Sequence, residues 1–126
     1  MLTEDEIKTL VHRFYGRVRQ DDILEPIFAS HIHDWTTHLA TMEDFWSSIA
    51  NTSGRYKGHP MLAHMRLPGI APAHFERWLS LFEETAAEVL PETAAQHVVS
   101  RAARIAESFK LGLGFYQKTP SERHLP

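Results

Sequence analysis

Apolar residues recur every three or four positions along most of this chain, and no stretch alternates apolar with polar side chains. The first spacing places side chains on one face of a helix, whereas half-buried strands need alternation. Helical spacing covers Thr3 to about Asp21, Trp35 to about Ala50, Pro72 to Pro91, and the chain from about Glu92, with a short proline-bounded helix from Pro60 to Pro68. The sequence therefore predicts an all-α fold.

A chain of 126 residues, 43% of them hydrophobic, has the size and composition of one globular domain. We expect this domain to span residues 1–116, followed by a polar tail, 117–126, that is flanked by proline and frayed. Thr3 and Glu6 have the spacing of a capping box, which predicts the start of the first helix. The polar stretch 29–34 is expected to be a loop, with Asp34 capping the helix that follows.

Composition excludes several classes of function. The chain has no cysteine, which rules out disulfides, thiolate-ligated iron–sulfur clusters and thiol catalysis. Thirteen basic residues against 16 acidic ones, with no basic run, argue against nucleic-acid binding. No apolar run approaches the roughly 20 residues of a membrane span, and an acidic start is unlike a signal peptide, so we expect a cytoplasmic protein without a membrane partner.

Nine histidines are many for this length, and histidine is the commonest metal ligand. His38 shares one helix face with Trp35, Met42 and Phe45, and a core histidine satisfied by its neighbours is the simpler interpretation of that pattern. His64 lies among apolar residues on the short helix that prolines bound, and this pinning favours a ligand as much as a core residue.

Other polar groups are predicted to face inward or to bind metal. Tyr15 and Trp78 lie on the apolar stripes of their helices, so each is either ordinary core or a hydrogen-bond donor in a pocket. Two imidazoles, a phenol and an indole on separate helices suggest one apolar cavity with a few donors, which is the general form of a cofactor site. His31 and His33 have a spacing that also fits zinc, although no third ligand stands beside them.

Several segments together resemble the truncated haemoglobins, most closely the third group of that family, over residues 7–109. They are FYGRVRQDDILEPIF at 14–28, Trp35 with the following TTH, the FW pair at 45–46, GRYKGHPMLAHMRLP at 54–68 and FERWLSLFEE at 75–84. The resemblance implies a two-over-two helical sandwich around haem b. Gly69-Ile70 stands where the family often has Pro-Phe, which predicts a differently shaped proximal wall.

The resemblance also implies residue roles. His64 matches the proximal iron ligand, and Tyr15, His38 and Trp78 match the distal groups, with Met42 one turn beyond His38. The remaining residues expected around the haem are Phe14, Phe28, Phe45, Trp46, Tyr56, Leu62, Arg66, Leu67 and Phe75. Counter-charges for the haem propionates are expected among Lys57, His59 and Arg66, while Arg55 is better explained as part of a solvated loop.

By this resemblance the chain would bind oxygen, carbon monoxide, nitric oxide or other small haem ligands. Tyr15 and Trp78 are both expected to donate to the partly negative oxygen, which predicts slow release. One alternative is a haem enzyme, a peroxidase or nitric oxide dioxygenase, that takes electrons from a separate reductase, because the chain has no flavin or nicotinamide motif. A second alternative is a haem-free helical module that binds zinc or a partner.

Overall fold

The computed structural model describes the backbone of residues 2–58 and 69–123 and the side chains of residues 2–58 and 69–113. In these ranges the chain forms helices and no strand, which confirms the all-α prediction. The helices are α1 (Glu4–Val18), α2 (Glu25–His31), α3 (Trp35–Asn51), α4 (Pro72–Val89) and α5 (Glu92–Arg123). The helix expected between Pro60 and Pro68 lies outside the described residues.

Both predicted helix caps are present. The Glu6 amide donates to Thr3 Oγ1 over 3.0 Å, and the Thr3 amide donates to Glu6 Oε1 over 2.8 Å, which completes the capping box of α1. At the start of α3, Asp34 accepts from the Thr37 amide over 3.1 Å. These side chains fix where α1 and α3 begin.

The four longer helices pack against one another. α1 lies against α3 and α4, and α5 lies along α4 and also contacts α3. The apolar stripe of α1 is almost fully buried and supplies the centre of the main core; its members are Ile7, Leu10, Val11, Phe14, Tyr15 and Val18. A second core joins α5 to the start of α4 through Ile70, Phe75, Ala106, Phe109 and Leu113. Within the described part of the chain, no helix is both long and apolar enough to cross a membrane.

Two boundaries differ from the sequence expectation. α2 continues to His31, so half of the stretch expected to be a loop is helical, and the loop is only the short link before Asp34. A helix of seven residues has too few turns to produce a readable apolar period. α5 continues without a break through residue 116 to Arg123, and the division of the chain at that point stays a prediction.

Asp21 connects the link after α1 to α4. Its carboxylate accepts the Ile23 and Leu24 amides over 3.1 and 3.0 Å and the Arg77 Nε–H over 2.8 Å. The side chain is only 8% exposed, so these donors replace its lost hydration. The hydrogen bond from the Arg77 guanidinium, above all, holds the pKa of Asp21 below its ordinary value.

Replacing this carboxylate by its neutral isostere, Asp21→Asn, is expected to lower the free energy of unfolding by about 1–2 kcal/mol, because charge-assisted hydrogen bonds become neutral ones. Since the folded-state pKa is depressed, the advantage of the wild type is present above about pH 4 and fades as the pH falls further. Urea unfolding at pH 7 and pH 3 measures this, with the exposed neighbour Asp22→Asn as the control. Equal losses in the two variants would contradict the role given to Asp21.

Candidate functional site

One cavity of about 260 Å³ lies where the helices meet, and side chains of all five line it. The residues predicted for the site that the structure places on its wall are Tyr15, Phe28, His38, Met42, Phe45, Trp46, Tyr56, Phe75 and Trp78. Of the other predicted site residues, His64, Leu62, Arg66 and Leu67 lie outside the described residues. Tyr56 and Ile70, near the two ends of that segment, both face the cavity.

Tyr15 is a deeply buried polar residue on this wall, with 5% of its surface exposed. Burial in apolar surroundings raises the pKa of its phenol far above the ordinary value, and the hydrogen bond from Trp78 opposes this only in part. The indole has only a donor, so its Nε1–H is the group of Trp78 that can interact with the phenol oxygen. Tyr15 is therefore a neutral hydroxyl at physiological pH, with its own proton left to donate.

His38 lies within a cluster of aromatic rings. Its imidazole meets Tyr15, Trp35 and Phe28 with ring centroids 5.1, 5.4 and 6.4 Å apart, each near perpendicular. Its Nε2 atom is shielded from solvent. The helix face predicted from the sequence is divided in the structure, since His38, Met42 and Phe45 line the cavity while Trp35 packs behind them.

Trp78 is supported by a stack of rings that continues into the core. Its indole is parallel to Phe82 at 5.5 Å and to Trp46 at 6.5 Å. Phe14 contacts Tyr15 and Trp78 edge-on, at 4.9 and 5.7 Å, and does not itself reach the cavity. Phe14 therefore packs behind the two polar residues and orients them. It does not line the pocket, contrary to the expectation from the sequence.

The structure adds wall residues that the sequence did not single out for the pocket: Leu24, Ile27, His31, Ile32, Thr41, His74, Ile105 and Phe109. Several come from the short helix α2 and the link after it, where periodicity gives little guidance. The Nδ1 atom of His74 accepts the Ala71 amide over 2.9 Å, so its Nε2 atom carries the proton in the neutral ring.

Two other sequence hypotheses concern charge and metal. Arg55 is exposed and pairs with Glu4 at 2.8 Å and Asp44 at 3.0 Å, in keeping with its expected place in a solvated loop. Among the side chains that the structure describes, those of residues 2–58 and 69–113, no group of three histidines or carboxylates is placed to hold a metal ion. Within that set, His31 and His33 have no third ligand for a zinc site.

Comparison with known proteins gives the same family at the level of sequence and of structure. Residues 3–110 match the family model described as bacterial-like globin. The chain is 34% identical to the group 3 truncated hemoglobin ctb of Campylobacter jejuni over 113 residues, which are 86% of this chain and 89% of that protein. It superposes on the crystal structure of the group III truncated hemoglobin from Campylobacter jejuni with a TM-score of 0.85 and 35% identity, covering 90% of this chain and 92% of the other.

The neutral state of Tyr15 is testable by alkaline titration of the phenols, followed by ultraviolet difference spectroscopy. In the folded protein we expect one tyrosine to ionise only well above the ordinary pKa of about 10, since burial penalises the phenolate. Tyr15→Phe should remove this late step, whereas Tyr56→Phe should leave it in place. A Tyr15 phenolate that forms near the ordinary pKa would contradict the assignment.

Proposed function

The chain belongs to the bacterial-like globins, as a truncated haemoglobin of the group III type, and we propose that it binds haem b in the cavity and takes up oxygen at ferrous iron, releasing it slowly. The observation that carries this proposal is the buried hydroxyl-bearing residue Tyr15, which lies with Trp78 on the wall of a mostly apolar cavity. Carbon monoxide and nitric oxide are further ligands of the same site. The cytoplasmic location stays a prediction.

The described walls suit a flat apolar macrocycle. Most of the lining consists of phenylalanine, tryptophan, methionine and branched aliphatic side chains. The polar lining groups are few, and they are imidazoles or uncharged hydroxyls. Among the described lining residues there is no lysine or arginine, so the interior is suited to a ring system and not to a polyanion. Charge for the haem propionates would come from Lys57, His59 and Arg66.

We assign His64 as the proximal ligand from its match to the family motif. The residues that flank the segment of His64 in the sequence support the assignment, because Tyr56 before it and Ile70 after it both line the cavity. Tyr56 is close packed against the backbone beyond it, since a Cβ atom at Gly58 would overlap its ring.

When bound, haem supplies the iron at which a diatomic ligand is held. The chain's contribution is a fixed donor. We propose that the Trp78 Nε1–H donates to the oxygen of Tyr15 when a ligand is bound and directs the phenol proton away from Trp78, since hydrogen bonds in such a chain strengthen one another. We therefore propose that the two residues act in series, with Tyr15 as the group that donates to the ligand, in place of the two independent donors expected from the sequence.

His38 and Met42 complete this wall next to Tyr15. The rings of Tyr15, Phe28 and Trp35 around His38 limit the rotation of the imidazole, so we propose that it stays beside the ligand site and closes it from solvent. A wall that excludes water strengthens the hydrogen bond from Tyr15, because the local dielectric is low.

Haem binding is tested by reconstituting the protein and recording the absorption spectra of its ferric and ferrous forms. We expect a stoichiometric haem complex, and a changed ferrous spectrum with weakened haem retention for His64→Ala, because the axial imidazole is lost. The exposed residue His12, changed to alanine, is the control and should behave as the wild type. A His64→Ala spectrum identical to that of the wild type would disprove the proximal assignment.

Slow release is tested by the oxygen dissociation rate in stopped flow. Tyr15→Phe removes a donor to a charged oxygen, which is worth about 1.5–3 kcal/mol, so the rate should rise by roughly one to two powers of ten. Tyr56→Phe is the matched control, because this tyrosine also lines the cavity but its hydroxyl lies over Gly58. Equal acceleration in both variants would show that Tyr15 is not the donor.

A further inference from the structure

Two histidines on the cavity wall have no part in the ligand site described above. His31 is the last residue of α2 and is exposed, and His74 is in the first turn of α4 and is half-buried. A wall residue that solvent also reaches marks the mouth of a cavity. Imidazole rings from two helices therefore border the mouth of this one.

The two helices that carry these rings are neighbours. A Cβ atom at Gly69, just before α4, would lie 3.7 Å from Ile27 Cδ1, and Ile27 also packs against the second core, to which Phe75 belongs. His31 follows Ile27 by one helical turn and shares its face of α2, and His74 directly precedes Phe75. This packing brings the two histidines to the same side of the cavity.

Both imidazoles are available to a ligand at the mouth. The Nδ1 atom of His74 accepts the Ala71 amide, which leaves the Nε2–H of the neutral ring as a donor. None of the ion pairs among the described residues involves His31 or His74. Thr41, another exposed residue of the wall, already donates its hydroxyl to the Thr37 carbonyl over 3.0 Å.

From this placement we propose that His31 and His74 bind a carboxylate of the haem, so that the anionic edge of the cofactor lies at the mouth beside α2 and the start of α4. The inference rests on haem binding as proposed above. It adds two cofactor-binding residues, from two further elements of the fold, to the counter-charges expected among Lys57, His59 and Arg66.

The chemistry of the wall favours this orientation. Haem is a flat apolar ring with two carboxylates on one edge, and a carboxylate that is buried without partners carries a large desolvation cost. The described lining holds no lysine or arginine, and the interior is mostly apolar. The mouth at His31 and His74 provides both solvent and N–H donors, and a hydrogen bond to a charged oxygen is stronger than one between neutral groups.

The rate of haem loss measures this contribution, with the ferric haem transferred from the reconstituted protein to an excess of apomyoglobin. His31→Ala should raise the rate by about two- to fivefold, the equivalent of one exposed charged contact. His33→Ala is the matched control, because His33 is exposed two positions further along but does not line the cavity, and it should match the wild type.

His74→Glu separates cofactor binding from folding. A glutamate at the third position of α4 can still accept the Ala71 amide, and a carboxylate near a helix N-terminus is favourable, so the unfolding free energy of the haem-free protein should be unchanged or raised. The same variant should lose haem roughly tenfold faster, because two carboxylates then face each other. Haem loss at the wild-type rate in both His31→Ala and His74→Glu would overturn the proposal.

Iron protoporphyrin IX dimethyl ester, in which both carboxylates are blocked, shows whether the histidines act on the carboxylates. The wild type, His31→Ala and His74→Glu should all lose this ester at the same rate. A difference that persists with the ester would mean that the histidines support the pocket itself, and it would overturn the proposal even if His74→Glu did not fold. A wild-type protein that takes up neither porphyrin would instead refute the function proposed above.

Discussion

A neutral phenol buried in an apolar cavity is the constraint on which the rest of the site depends. Burial penalises the phenolate, so the Tyr15 hydroxyl keeps its proton, and Trp78 opposes this pKa shift only in part. The Tyr15 O–H can therefore donate a hydrogen bond into the cavity. A ligand that develops negative charge there is stabilised, while a water molecule gains less because it carries no such charge.

The fold positions this pair through contacts on both sides. Tyr15 is on the stripe of α1 and Trp78 is on α4, so their separation is set by how these helices pack. Phe14 fills the space behind both rings, and the adjoining Arg77 ties α4 to Asp21 in the link after α1. Core packing and one partly buried ion pair thus fix the relative position of two polar side chains that neither helix provides alone.

Sequence reasoning located the parts of the site that lie on long helices. The three-and-four spacing correctly placed Tyr15, His38 and Trp78 inward, because each sits on a helix of at least 15 residues. Ile27 and Ile32 were missed because a seven-residue helix and the link after it carry no readable period. The juxtaposition of Tyr15 with Trp78 and the Asp21–Arg77 pair were not predictable, since each joins residues more than 50 positions apart and depends on the completed packing.

The infrared stretching frequency of carbon monoxide in the reconstituted ferrous protein tests the central claim most directly, because a nearby donor lowers it. If Tyr15 donates and Trp78 orients it, the wild type has the lowest frequency, Tyr15→Phe has a clearly raised one, and Trp78→Phe has a broadened intermediate band. A wild-type frequency equal to that of Tyr15→Phe would show that the buried hydroxyl does not point at the ligand.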